Sequence, residues 1–233
     1  GLIVGRTLDN AADVGRYSSL ALNSSGYPVV AYYDADNGDL KLVVCSDSTC
    51  VAKAVVTVDS TGTVGVYPSL VLNGSDYPII SYFDSTNNHL KVVACGNTTC
   101  TSGNTFKTVD SSPNNGTYSS IALNVSGNPV ISYREYTIGS LKLAICGNST
   151  CTANNVIKVM DGASNPQFVS MALNASGDPY VGYYDYSSGD LKLAYGAETF
   201  SDVPANYWSW QYIERLYSAG ITGGCLTSPL IYC

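Results

Sequence analysis

The sequence predicts an all-β fold, a four-bladed β-propeller of four-stranded repeats about fifty residues long, and three observations carry that expectation. The first is self-similarity: the segment YSSLALNSSGYPVVAYYDADNGDLKLVVC, from Tyr17, returns in related form from Tyr67, Tyr118 and Phe168. The second is the fixed step of the markers. Asn23, Asn73, Asn124 and Asn174 are spaced by 50, 51 and 50 residues, and Lys41, Lys91, Lys142 and Lys192 keep the same step. The third is the wealth of Val, Ile, Tyr and Thr in short alternating runs, with helical periodicity absent before residue 203.

Each repeat reads as four strands. Strand A is expected over Tyr17–Leu22 and ends in an N-x-S-G/D turn. Strand B starts at Pro28, where a missing N–H is tolerated, and alternates to Asp34. Strand C is expected over Asp39–Cys45, with Leu40, Leu42 and Val44 on one face and Lys41 and Val43 on the other. Strand D follows over Ala52–Asp59. The repeats then cover 17–66, 67–117, 118–167 and 168–199, inside a propeller of residues 1–199.

The fourth repeat stops after strand C. A strand-D sequence stands instead at the other end of the array: Ile3–Asp9, IVGRTLD, matches AVVTVD, TFKTVD and VIKVMD. Asp9, Asp59, Asp110 and Asp161 mark these segments at steps of 50, 51 and 51. The N-terminal strand is therefore expected to complete the last blade and remove two open edges. Closure within one chain is favoured by effective concentration, and donation to a neighbouring copy is the alternative.

Eight cysteines fall in local pairs: Cys45/Cys50, Cys95/Cys100, Cys146/Cys151 and Cys225/Cys233. Three pairs share C-x4-C spacing, and with a single histidine, His89, zinc ligation is a poor fit. Short disulfides pinning hairpin ends imply an oxidising, extracellular compartment. Each such small ring stabilises by about 2 kcal/mol, too little to create the fold.

From residue 200 the pattern changes to FSDVPANYWSWQYIERLYSAGITGG, in which Pro204 opens a short helix and Gly220 stops it. Phe200, Asp202, Val203, Pro204, Tyr207, Trp208, Ile213, Gly220, Ile221 and Gly224 make residues 200–233 resemble part of an S-layer homology domain. That resemblance implies attachment to cell-wall polysaccharide. The repeated YYD…GDLK pattern is similar to propeller repeats of large secreted bacterial proteins, which implies the same fold and location. Trp208, Tyr212 and Leu216 are expected to form an apolar assembly face on the helix.

Composition narrows the function. The 233 residues hold 11 basic and 18 acidic side chains, a net charge of −7, which argues against nucleic-acid partners. No apolar run is long enough for a membrane span. The turns at one end of the repeats carry the N-x-S/T acceptors Asn23, Asn73, Asn97, Asn124, Asn148 and Asn174, with Asn115 at the other end, so a glycan-coated face is one expectation. The opposite rim gathers Asp34, Asp36, Asp39, Arg134, Tyr136, Asp185, Tyr186 and Asp190, carboxylates and aromatic rings suited to holding sugars. DADNGD at 34–39 resembles the start of a calcium loop without its closing Glu, so calcium is a minor expectation and no other cofactor is expected. No nucleophile–base motif surrounds His89, and Arg6, Arg16, Arg134 and Arg215 are scattered, so catalysis is not expected. The reading is a non-catalytic extracellular cell-surface or S-layer protein, structural or adhesive, that self-associates into an assembly or filament. A glycan-binding lectin is the alternative, and a glycoside hydrolase comes third.

Overall fold

The computed structural model describes residues 4–196, 213, 226–227 and 230–231. The chain forms two compact units, Gly1–Tyr195 and Gly196–Cys233. In the first, the described residues form fifteen strands in four antiparallel sheets in chain order. The first sheet is β1 (Val14–Leu22), β2 (Pro28–Asp34), β3 (Asp39–Cys45) and β4 (Lys53–Asp59). The second is β5 (Val64–Leu72), β6 (Pro78–Asp84), β7 (His89–Ala94) and β8 (Thr105–Asp110), and the third is β9 (Asn115–Leu123), β10 (Pro129–Glu135), β11 (Ser140–Ile145) and β12 (Val156–Asp161). The fourth has three strands, β13 (Pro166–Leu173), β14 (Pro179–Asp185) and β15 (Asp190–Tyr195). Each sheet is a meander with neighbours paired in sequence order, the construction of propeller blades.

The inner strands line up: β1 packs on β5, β5 on β9 and β9 on β13, while β13 and β1 share no comparable interface. Apolar clusters fill the blade junctions. Leu40 and Leu42 of the first blade meet Ile80, Tyr82 and Val93 of the second, and Leu90 and Val92 meet Ile131 and Tyr133 of the third. A smaller cluster joins Leu141 to Val181 and Tyr183 of the fourth.

The inner strands begin earlier than the sequence suggests, at Val14 rather than Tyr17, because each carries a bulge. Tyr17 and Ser18 together oppose Tyr32, and the same two-against-one count recurs at Tyr67, Tyr118 and Phe168. At each bulge the aromatic residue has left-handed φ: +56° at Tyr17, +52° at Tyr67 and Tyr118, and +54° at Phe168. Bulky residues adopt this conformation at a cost of about 1–2 kcal/mol. Ring contacts compensate, with centroids 4.3 Å apart for Tyr17–Tyr67 and Tyr67–Tyr118 and 5.4 Å for Tyr118–Phe168.

A second repeated device uses serine. Ser19 Oγ accepts from Leu70 N at 3.0 Å, Ser69 Oγ from Ile121 N at 3.1 Å, and Ser120 Oγ from Met171 N at 3.0 Å, each bond crossing to the next blade. The marker aspartates form a third device, as carboxylates, buried at Asp59 and Asp110 and partly exposed at Asp161, paired with donors of the following blade. Asp59 accepts from Tyr82 and Lys91, Asp110 from Tyr133 and Lys142, and Asp161 from Tyr183 and Lys192.

Asp9 occupies the same station, 2.6 Å from both Tyr32 Oη and Lys41 Nζ. The strand expected before it is not formed over Val4–Asp9, and β15 has no fourth partner among the described residues. The correction concerns the ladder alone: the backbone of residues 4–9 is not paired with the fourth blade, while Asp9 meets the blade that follows it as the other marker aspartates do.

The disulfides Cys45–Cys50, Cys95–Cys100 and Cys146–Cys151 are formed, with Cα atoms 4.8 Å apart in each. In the second unit, Leu226–Thr227 (β16) pairs with Leu230–Ile231 (β17), and Ile213 is helical and buried. The expected pair Cys225/Cys233 and the expected assembly residues Trp208, Tyr212 and Leu216 lie outside the described residues.

Candidate functional site: the rim between the second, third and fourth blades

The turns at the two ends of the blades are built from side-chain acceptors. At the A–B turns, Asn23 Oδ1 accepts from the backbone of Ser25 and Tyr27, and Asn73, Asn124 and Asn174 repeat the pattern. Asn97 and Asn148 do the same in the disulfide turns. These six asparagines are at least partly exposed, whereas Asn115 is fully buried and donates its amide to Ser112 and Pro113 carbonyls. Asn115 is therefore removed from the glycosylation candidates, because its amide nitrogen is inaccessible and engaged.

The opposite rim is where the acidic candidates lie, and the structure divides them. Asp34 and Asp185 end their B strands and are buried as caps of the following turn. Asp34 accepts from Asn37 N and Nδ2 at 3.1 and 3.0 Å and lies 3.6 Å from Lys41 Nζ. Burial pushes its carboxyl up, but the Asn37 donors and Lys41 outweigh it and the net shift is downward. Asp185 accepts from Ser187 N at 2.8 Å and pairs with Lys192 at 2.7 Å, which holds it below the usual carboxylate range. Asp84 and Glu135 cap the equivalent turns in the second and third blades. The lone pairs of these carboxylates are thus directed into the protein.

Asp36 is exposed and accepts from Asp13 N at 3.1 Å. Asp39 faces Asp34 across the ladder, and burial together with the Asp34 charge raises its pKa. Asp34 therefore spends its oxygens on its own turn and on Lys41, and Asp36 accepts from outside the loop. Asp190 and Tyr186 are exposed on the fourth blade, where Tyr186 meets Tyr184 edge-on at 6.2 Å. No contact joins the first-blade aspartates to Arg134 or Tyr186 among the described residues.

Arg134 and Tyr136 do come together, with the guanidinium 4.5 Å from the ring centroid. Tyr136 lines a cleft of about 400 Å³ with Val66, Tyr67, Phe83, Asn88, Asn114 and Thr117. Asn88 and Asn114 sit at left-handed φ, +59° and +62°, and Asn114 Nδ2 donates to Thr137 Oγ1 at 3.0 Å. Aromatic faces and amides in one concave site suit a polyhydroxylated ligand. Sequence reasoning named Tyr136 but missed Tyr67, Phe83, Asn88, Asn114 and Thr117. The positional signal was the repeat itself, since the D–A loops and B–C turns of adjacent blades must share a rim.

Residues 199–224 match the model of the S-layer homology domain. No curated protein matches the chain's sequence. Among solved structures, the chain is similar to a NanB sialidase variant from Streptococcus pneumoniae, at 15% identity and a TM-score of 0.51 over 75% of this chain and 28% of that one. A thermostable family-43 glycoside hydrolase aligns at 12% identity and 0.53, over 78% of this chain and 68% of that one. An engineered family-43 enzyme with endo-xylanase and exo-arabinofuranosidase activity aligns at 12% and 0.51, over 82% and 38%. The chain thus spans well under half of the sialidase. These likenesses show the fold. They also correct the expectation that the chain is not an enzyme, because this is a scaffold on which glycoside hydrolases are built. The exclusion rested on local motifs, and a propeller can collect its reacting groups from separate blades. No helix among the described residues is long and apolar enough to cross a membrane. The S-layer homology match and the three disulfides assign the chain to the extracellular cell surface.

Proposed function

We propose that the chain is a surface-attached propeller that joins copies of itself into a larger assembly, with the N-terminal segment of one copy completing the fourth blade of another. The observation that carries this reading is the bare end of the array. Leu191 is 87% exposed, whereas its counterparts Leu40, Leu90 and Leu141 are at 0%. At the other end, Leu20 is 63% exposed, while Leu70 and Ile121 at the same station are at 6%. The two ends are therefore the halves of an interface that already recurs between the blades. The strand-D sequence IVGRTLD precedes the first blade, and among the described residues β15 presents an unpaired edge to receive it. Such head-to-tail strand addition is heterologous and propagates.

Sedimentation and electron microscopy test the reading. Oligomers that grow with concentration are expected, and they should be lost on deleting residues 1–9 or on Leu191→Asp. A monodisperse monomer at high concentration overturns the proposal.

The aromatic and amide cleft supports a second reading, engagement of surface or cell-wall glycans at the rim. A glycan array compares the chain with Tyr136→Ala. Signals that disappear in the variant support this reading, and an array without signals removes it.

A further inference from the structure

Arg134 breaks the repeat. Its station holds Tyr33, Phe83 and Tyr184 in the other blades, where an aromatic ring covers the strand. The guanidinium is nonetheless enclosed: Arg134 is 7% exposed, and its Nε has no hydrogen-bond partner. No carboxylate pairs with it among the described residues. The adjacent Glu135 is engaged by Thr137 N, Ile138 N and Ser140 Oγ. An arginine cannot escape burial by losing its proton, so an enclosed guanidinium stacked on the Tyr136 ring, with no carboxylate beside it among the described residues, is a destabilising choice unless something else neutralises it.

The neighbouring groups show the same deficit. Thr117, the ladder partner of Arg134, has an unpartnered buried hydroxyl, and fully buried Asn115, opposite Glu135, has an unpartnered Oδ1. Arg134 is also paired with Leu141, whose side chain packs on the fourth blade. At that junction the loop into β13 brings Ser164 Oγ and Asn165 Oδ1, both buried and unpartnered, with Asn165 N donating to Gly139 O at 2.6 Å. The buried unpartnered side-chain atoms found among the described residues all belong to these five residues. The arginine requires an anionic acceptor, the two amide oxygens require donors, and the two hydroxyls take either role. A small anion supplies the first need and at most one or two donors, too few and too close together to reach all of these groups. A sugar bearing a carboxylate supplies both, through its carboxylate and its hydroxyls.

We propose that the junction of the third and fourth blades, beside the Tyr136 cleft, binds a carboxylate-bearing saccharide of the uronic-acid type through Arg134, Thr117 and Asn165. This rests on the glycan-engaging reading and adds the ligand's charge and the residue that selects it. Calorimetry on the full chain uses trigalacturonate as the probe, against neutral galactotriose and inorganic phosphate. Trigalacturonate should bind best, and Arg134→Gln should weaken it by about ten- to a hundredfold, as expected for a charge-assisted hydrogen bond. Arg134→Phe, which restores the aromatic residue of the other blades, should abolish binding and raise the melting temperature of the free protein. A lower melting temperature for Arg134→Phe would make the arginine a structural residue and overturn the proposal. So would equal affinity for phosphate, or binding of trigalacturonate that persists unchanged in Arg134→Phe, although the last result leaves the glycan reading standing. Absence of binding to every oligosaccharide removes both.

Discussion

The hydroxyl of Tyr82, on the second blade, donates across 2.6 Å to Asp59, the last residue of the first blade. Lys91 approaches the same oxygen at 2.7 Å, so one buried carboxylate ties two strands of the next blade to the preceding one. The third blade repeats this with Tyr133 and Asp110 at 2.7 Å.

Tyr82→Phe should therefore leave Asp59 short of one donor while preserving the ring's packing. The expected cost is about 1–3 kcal/mol. Tyr183→Phe should cost less, because the Asp161 side chain is 30% exposed and water can replace the lost donor. Denaturant titration of the two variants checks this, and equal losses would contradict the assignment of the effect to burial.

The pH dependence follows from the same groups. Hydrogen bonds from Lys41 and then Tyr32 lower Asp9 to about 2. Burial pushes Asp59 and Asp110 up, but the Lys91 and Tyr82 donors outweigh it at Asp59 and the Tyr133 and Ser112 donors at Asp110, so both end lowered. A depressed carboxylate contributes stability above its unfolded pKa, about 3.9, and loses it as pH falls through the folded value. On the alkaline side, burial followed by Asp59 and Asp110 respectively raises Tyr82 and Tyr133, and burial followed by Asp161 pushes Tyr183 up to about 12. A raised tyrosine contributes stability below about 10 and loses it as pH climbs through the folded value. Denaturation midpoints should thus be level between about pH 4 and 10 and fall on both sides. A decline already under way at neutral pH would contradict this.

Backbone approach supplies a sharper test. Gly65 has φ +93°, and a Cβ there would stand 2.6 Å from Leu40 Cα in the first blade. Gly65→Ala should cost more than about 3 kcal/mol, combining strain with overpacking. Gly26 has φ +75° with nothing within 4 Å of an added Cβ, so Gly26→Ala should cost only about 1–2 kcal/mol. Melting temperatures of the two variants decide whether blade contact or local conformation dominates.

The repeat made the blades legible because its period fixes which residues share a station. Asp9 could be grouped with Asp59, Asp110 and Asp161 before any geometry was known, and its partners Tyr32 and Lys41 match theirs. The bulges were not legible, since left-handed φ at Tyr17 or Tyr67 contradicts the preference of bulky residues and is imposed by ring contacts between blades. At the rim, residue type misled. Asp34 and Asp185 resemble ligand carboxylates in sequence, yet the turn amides consume them. Arg134 was visible as a departure from the repeat, but its lack of a partner is a property of packing alone.

The serine bonds from Ser19, Ser69 and Ser120 each involve only two adjacent blades. Nothing in them refers to the number of blades already laid down. The array therefore has no built-in length gauge: duplicating one repeat adds a unit together with the bond that positions its successor. Blade number is a quantity that genetic duplication can alter one step at a time, without redesigning any existing junction.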